Sequence, residues 1–204
     1  MVRDMLGNFI NRALTLAEDW FDNEVPEPEL EEADEEALER TEELLSTYQS
    51  QFEEKELKEA LDTALDIARH GDKYLSREQP WNHEERREEN IYVAIQIINA
   101  ISRAMHPFTP NAAEQTADML NTEIDTDPGR NEFEHAVKEL EPGHELGERE
   151  ILFEKIDTSE QQQKYSEEDN MTEHDFNEDT VSFEDFQDMD IRTGEVKSVE
   201  EHPN

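Results

Sequence analysis

Along the first 120 positions of this chain, apolar residues recur at intervals of three and four, the repeat expected of one buried face of an α-helix. Leu6, Phe9, Ile10, Ala13, Leu14, Ala17, Trp20 and Phe21 mark out a first helix whose stripe begins close to Met1. Pro26 and Pro28 are expected to end it. The run from Glu27 to Glu43 is mostly acidic, yet Ala37, Leu38, Thr41, Leu44, Leu45 and Tyr48 keep helical spacing beneath the acids. That pattern predicts a second helix with a charged outer face. Leu57, Ala60, Leu61, Ala64, Leu65, Ala68 and Leu75 give a third, which breaks at Gln79-Pro80-Trp81. Proline lacks the backbone donor and disfavours helical backbone at the residue before it. Ile91, Ala94, Ile95, Ile98, Ile101 and Met105, widened by Ile97, make the fourth helix apolar over so broad an arc that it should sit at the centre. His106-Pro107-Phe108-Thr109-Pro110 stops it. Thr109 is then expected to cap a fifth helix, with Pro110 at its first position and Ala113, Ala117 and Leu120 facing inward.

Beyond Leu120 the texture changes. Asp125 to Asn131 reads as a turn-rich loop, Phe133, Ala136, Val137 and Leu140 as a short helix, and Pro142-Gly143-His144 as a turn before the apolar Ile151-Leu152-Phe153. Residues 158–180 are polar and acidic with almost nothing to bury, the composition of a flexible linker. Residues 181–204 become β-like, with Phe183, Phe186, Ile191 and Val196. The expected organisation is an all-α helical bundle over about 1–122, a closing segment 123–157, the acidic linker 158–180, and a separate fragment 181–204.

Charge adds a question that periodicity does not answer. In 204 residues, 56 acids face 18 basic residues, a net charge of −38. Such a chain can be disordered, can mimic nucleic acid or bind cations, or can be an ordinary fold adapted to molar salt. At about 1 M salt the Debye length is about 3 Å, so surface carboxylates scarcely repel one another. The clean amphipathic helices beneath the acids favour the third, halophilic reading. Residues 55–103 stand apart, with eight basic side chains against ten acids. This near-neutral island is either where an anionic partner approaches or a set of helices exposing little surface.

Other chemistry is sparse. The absence of cysteine excludes disulfides, thiolate zinc sites and a cysteine nucleophile. Seven histidines show no metal-ligand spacing, and neither a phosphate loop nor a nucleophile elbow occurs. No stretch of 18 apolar residues and no signal-like leader is present, so the expectation is a cytoplasmic protein without a membrane partner. The residues by themselves describe a bundle that binds, with no catalytic residue, no metal site and no cofactor of its own.

Several short motifs, in order, carry a resemblance. Leu6-Gly7-Asn8-Phe9-Ile10-Asn11-Arg12-Ala13-Leu14-Thr15, then Lys73-Tyr74 with Gln79-Pro80-Trp81, then Pro107-Phe108-Thr109-Pro110 with Ala113-Glu114, then Pro142-Gly143-His144-Glu145-Leu146-Gly147 with Leu152-Phe153-Glu154-Lys155-Ile156-Asp157 resemble the C-terminal anticodon-binding domain of methionyl-tRNA synthetases, of archaeal and salt-adapted kind. Phe183-Glu184-Asp185-Phe186, Asp190-Ile191-Arg192-Thr193-Gly194 and His202-Pro203-Asn204 are similar to the opening of the OB-fold tRNA-binding domain appended to many of these enzymes, although Thr193 and Glu195 depart from its usual residues. The resemblance implies a class Ia anticodon-binding bundle, a truncated OB-fold start, and methionine tRNA with its CAU anticodon as partner. ATP-dependent attachment of methionine to tRNA, with ATP and Mg, is implied for the full enzyme through a catalytic domain that this chain lacks. A complete OB-fold domain further implies a dimer. The rival class is a non-enzymatic acidic helical interaction protein.

The resemblance also singles out residues. Trp81, in a loop after a proline, can offer an indole face to an unstacked base; the plainer alternative is a tryptophan packed on the bundle. Asn11, Arg12, Thr15 and Asp19 share the outer face of the first helix, which in the family reads anticodon bases. Thr15 and Asp19 stand where the family often carries Asn and Arg, and a solvated helix face is the alternative for Asp19. Tyr74, Lys73 and Arg77 complete the tRNA-binding set. Lys73, Arg77, Arg86 and Arg87 either hold phosphates or pair with Glu78, Glu84, Glu85 and Glu88.

Overall fold

The computed structural model describes residues 2–124, 140–150 and 152. The chain divides into two units, Met1–Glu154 and Lys155–Asn204, and the second lies outside the described residues. So do the expected loop 125–131, all of the expected short helix over 133–140 except Leu140, the linker and the OB-like fragment. Among the described residues the first unit is an all-α bundle of five helices, α1 (Val2–Phe21), α2 (Glu32–Glu53), α3 (Leu57–Glu78), α4 (Arg87–Met105) and α5 (Pro110–Met119), with a 3-10 turn at Glu84–Arg86 before α4. Among the described residues there is no strand, only an isolated antiparallel bridge between Glu24 and Glu145. None of these helices is long and apolar enough to cross a membrane.

Helix α4 is the axis. Every residue from Glu89 to Met105 is buried, and α1, α2, α3 and α5 all pack against it. A helix apolar on nearly all sides has no other place to go. Helix α1 contributes Leu6, Phe9, Ile10, Ala13, Leu14 and Ala17 to this core. Its stripe runs out earlier than its sequence suggests. Trp20 and Phe21 lie at the margin, half-buried. The helix stops well before Pro26, because Asp22 (φ 50°) and Asn23 (φ 65°) turn left-handed, a conformation their short polar side chains tolerate. The prolines only hold the extended link that follows.

Helix α2 resolves the acidic run as expected: Ala37, Leu38, Leu44, Leu45 and Tyr48 are buried while Glu32, Glu35, Glu36, Glu39, Glu42 and Glu43 are exposed. Its first turn carries Glu32, Asp34 and Glu35, which suit the positive end of the helix dipole. It closes with Lys55 left-handed at φ 65°, Lys55 N–H bonding Phe52 O and Glu56 N–H bonding Gln51 O. That is the paired-bond ending normally built on glycine, here carried by a lysine. Helix α3 passes close to its neighbours at Gly71, where a Cβ would overlap Phe9 of α1 and approach Ile97 of α4. One expectation fails at α5: Pro110 does open the helix, but the Thr109 hydroxyl makes no capping bond and points back to Met105 O at 3.4 Å. The tight His106–Thr109 turn, with Thr109 N–H on Met105 O, aims the side chain backward.

The closing segment returns to the start of the chain. Leu140 is buried and its backbone is clasped by Gln96 of α4, which donates to Leu140 O at 2.6 Å and accepts from Leu140 N at 3.3 Å. Val25 N–H bonds His144 O, Leu146 N–H bonds Asn23 O, and the Asn23 side chain donates to Leu146 O and Gly147 O. Gly147 has no room for a side chain, since a Cβ would collide with the backbone carbonyl of Asp118.

Candidate nucleic-acid interface

The loop between α3 and α4 forms by a sequence of local constraints. Gln79 ends α3 in a left-handed conformation (φ 49°, ψ 59°), its N–H still on Leu75 O. Asn82 N–H closes a turn onto Gln79 O at 2.8 Å, and the Asn82 and Gln79 side chains bond at 2.9 Å. Pro80 and Trp81 occupy the two central positions, the first of which suits the fixed φ of proline. Pro80 is buried and anchors the turn. Trp81 rides at its apex with 41% of its surface exposed, a large value for a residue type normally tucked away.

The turn is tied to α1 by two reciprocal arginine–tryptophan pairs. Arg12 of α1 lies over the Trp81 ring, 5.5 Å from its centroid, and Arg87, at the start of α4, lies over Trp20 of α1 at 4.2 Å. Both are within cation–π range. Arg12 is held from behind by Asp72 at 2.9 Å, with Ser76 at 3.4 Å. Arg87 also donates to the Pro80 carbonyl at 3.3 Å and to Glu84 at 3.2 Å, so a single guanidinium connects the turn backbone to the end of α1.

Beneath the turn lies a buried polar network. Asp34, fully buried, accepts from the Arg86 Nη2 at 2.6 Å, from the Tyr74 hydroxyl at 2.5 Å and from Glu31 N–H at 2.9 Å. Arg86 also approaches Glu31 at 3.3 Å and Glu89 at 3.9 Å. The Tyr74 hydroxyl lies 3.0 Å from Asn90 of α4 as well. Burial, then the bond to Asp34, pushes the Tyr74 phenol far above the ordinary tyrosine value, so it stays a donor. Tyr74, named in the tRNA-binding set read from the sequence, is 3% exposed, so it braces the turn from below and shows only a ring edge on the α2 side.

The remaining residues of that set fall on two sides of α3. Asn11 and Asp19 are exposed on α1 and Thr15 is half-buried, its hydroxyl donating to Asn11 O at 2.6 Å. One edge of this stripe is Arg12 with Trp81. The other is Arg149 of the closing segment, which donates to Asn11 Oδ1 at 2.8 Å and to Glu18 at 3.2 Å. Helical geometry puts Asn8, Thr15 and Asp19 between these two edges. Lys73 and Arg77 are exposed but face α2 rather than Trp81. Arg77 bonds through Nε to Glu78 at 2.6 Å, and Arg87 pairs with Glu84 at 3.2 Å. Arg86 instead takes the distant Asp34. Sequence reasoning missed Trp20, Asp34, Asp72 and Arg149. Only Trp20 carried a signal, two turns beyond Arg12 on the same helix.

Comparison with known proteins bears on the family and the fold. The family described as the anticodon binding domain of methionyl tRNA ligase matches residues 25–173. The chain is similar to the methionine–tRNA ligase of Flavobacterium johnsoniae (31% identity over 236 residues, 98% of this chain and 33% of that protein). It is similar also to that of Pyrococcus horikoshii (29% over 251 residues, 98% and 34%). Among solved structures, the free form of Mycobacterium tuberculosis methionyl-tRNA synthetase superposes with a TM-score of 0.66 at 24% identity, over 75% of this chain and 32% of that one. The chain thus spans about a third of the length of the curated relatives it matches.

Proposed function

The chain belongs to the family of methionyl-tRNA ligase anticodon-binding domains, and from that premise we propose that it recognises the anticodon loop of methionine tRNA, bearing CAU, as one part of a methionine–tRNA ligase. The observation that carries the reading is the exposed Trp81 indole, held at a turn apex beside the outer stripe of α1. An extruded loop base stacks on this indole. The neighbouring stripe, with Asn8, Asn11, Thr15 and Asp19, offers amide, hydroxyl and carboxylate groups to base edges. A carboxylate at position 19 accepts from the amino group of cytosine, which suits the first base of CAU. Stacking on an aromatic ring is worth about 1–3 kcal/mol per base. It does not rely on long-range charge, which suits a surface otherwise covered in carboxylates. In this reading the ATP-dependent charging step, with its Mg, takes place on a catalytic domain of the full cytoplasmic enzyme, and the fold described here supplies specificity.

The test is fluorescence anisotropy with a labelled CAU stem-loop and a stem-loop with one altered anticodon base. The full chain should prefer CAU, and Trp81→Ala should weaken CAU binding by roughly tenfold or more. Equal binding of both loops, or none, would favour an acidic interaction protein instead; unchanged affinity in the variant would remove Trp81 from the site.

A further inference from the structure

A second feature of α3 faces away from Trp81. Between the N-terminal half of α2 and the C-terminal half of α3 lies a groove of about 280 Å³ lined by Ala33, Glu36, Ala37, His70, Lys73, Tyr74 and Arg77. His70, Lys73 and Arg77 follow one another at i, i+3 and i+7, a single stripe about 10 Å long along the helix. The floor is apolar and rigid: Ala37 is buried, and the Tyr74 ring is fixed through its hydroxyl to Asp34. Arg77 lies over that ring at 5.8 Å and uses Nε, not its terminal amino groups, for Glu78. Because a carbonyl only accepts, the His70 Nε2 that sits 2.9 Å from Ala37 O must carry the proton. His70 therefore points its other ring nitrogen elsewhere, and it is half-buried at the groove wall.

We infer that this groove is a phosphodiester-binding site, made by Lys73 and Arg77 with His70 beside them as the group that gains a proton when the anion binds, and that it grips the RNA backbone while Trp81 and α1 read bases. The inference rests on the RNA-binding reading given above. Three observations support it. Lys73 and Arg77 bring two cations to one groove in a chain of net charge −38. The one lining carboxylate, Glu36, is outnumbered by Lys73 and Arg77. The field at the groove is felt by His70: burial first, then Arg40 of α2 with Arg77 and Lys73 of α3, hold its imidazole below the ordinary value against the opposing pull of the Ala37 carbonyl. A bound phosphate diester would reverse that field. Backbone contacts of this kind fix position without reading sequence.

The experiment uses the full chain and the same two stem-loops, at several salt concentrations. Lys73→Ala/Arg77→Ala changes two exposed side chains, and circular dichroism confirms that the fold is kept. Expected are an equal fractional loss of affinity for both loops and a shallower dependence of log K on log salt, by about 0.7–0.9 for each phosphate no longer neutralised. Addition of stem-loop to the wild-type chain should also move the His70 imidazole pKa upward in an NMR titration. Unchanged affinity and salt slope in the double variant, or a His70 titration indifferent to RNA, overturns the groove. Binding that shows no CAU preference yet still falls in the double variant keeps the groove and overturns the anticodon reading. No binding of either loop by the wild-type chain overturns both.

Discussion

Replacing Arg86 by alanine tests whether the Trp81 turn is held from beneath. Arg86 is 18% exposed at its side chain and its partner Asp34 is not exposed at all, so the 2.6 Å bond between them is a buried ion pair. Breaking such a pair by removing one member costs about 3–5 kcal/mol, because the other charge is stranded. Here Asp34 keeps two donors, the Tyr74 hydroxyl and Glu31 N–H, which argues for the lower end, about 3 kcal/mol. Glu89, at 9% side-chain exposure, loses its cation at 3.9 Å in the same step and pushes the cost upward. For a unit of roughly 150 residues, each kcal/mol lowers Tm by about 2–4 °C, so the expected drop is about 6–12 °C. Urea unfolding followed by circular dichroism gives the free energy, and the comparison should be repeated in 1 M NaCl. An exposed pair would be screened there, whereas this one should keep most of its contribution. A loss below about 1 kcal/mol, or a difference that disappears in salt, would refute a buried charge anchoring the turn.

Two glycines should separate close packing from backbone collision. Gly147→Ala drives a Cβ into the immovable carbonyl of Asp118 and threatens the Gly147 N–H bond to Met119 O, whereas Gly71→Ala meets the side chains of Phe9 and Ile97. Overpacking costs about 1–3 kcal/mol and alanine returns up to about 1 kcal/mol inside a helix, so urea midpoints should place Gly147→Ala well below Gly71→Ala. His70 gives a pH prediction. Its folded pKa lies below the ordinary histidine value of 6.5, so the unfolded chain binds the extra proton between the two values. Its contribution to stability is complete above about pH 6.5 and is lost as pH falls toward the folded value. The wild-type chain should therefore lose more stability than His70→Asn between pH 7.5 and 5.5; parallel curves would deny the shift.

Helix existence and facing were legible because period and burial coincide: α4 shows its central place in Ile97 alone, and α2 shows its core beneath seventeen mostly acidic positions. Helix ends were less so. The α1 terminus is set by left-handed Asp22 and Asn23, which sequence presents as two ordinary polar residues ahead of a louder Pro26. The turn carrying Trp81 could be read from Pro80, but its support could not. Asp34 is one acid in a run of them, and only the fold reveals that it alone is buried against Arg86, 52 positions away. Arg149 was invisible for the same reason, since its partners Asn11 and Glu18 lie more than 130 residues upstream.

The strip from Gly143 to Arg149 has a consequence for the order in which the protein assembles. It finishes the outer edge of α1, yet the Asn23 amide meets Leu146 across 123 residues of chain. Helix pairs close in sequence, such as α2 with α3, form early because their contacts are local. The edge of α1 must wait until nearly the whole unit has left the ribosome. A nascent chain interrupted near residue 140 would then carry a formed bundle whose α1 edge is still unframed on one side, a state separable from the finished one by protease sensitivity around Asn23.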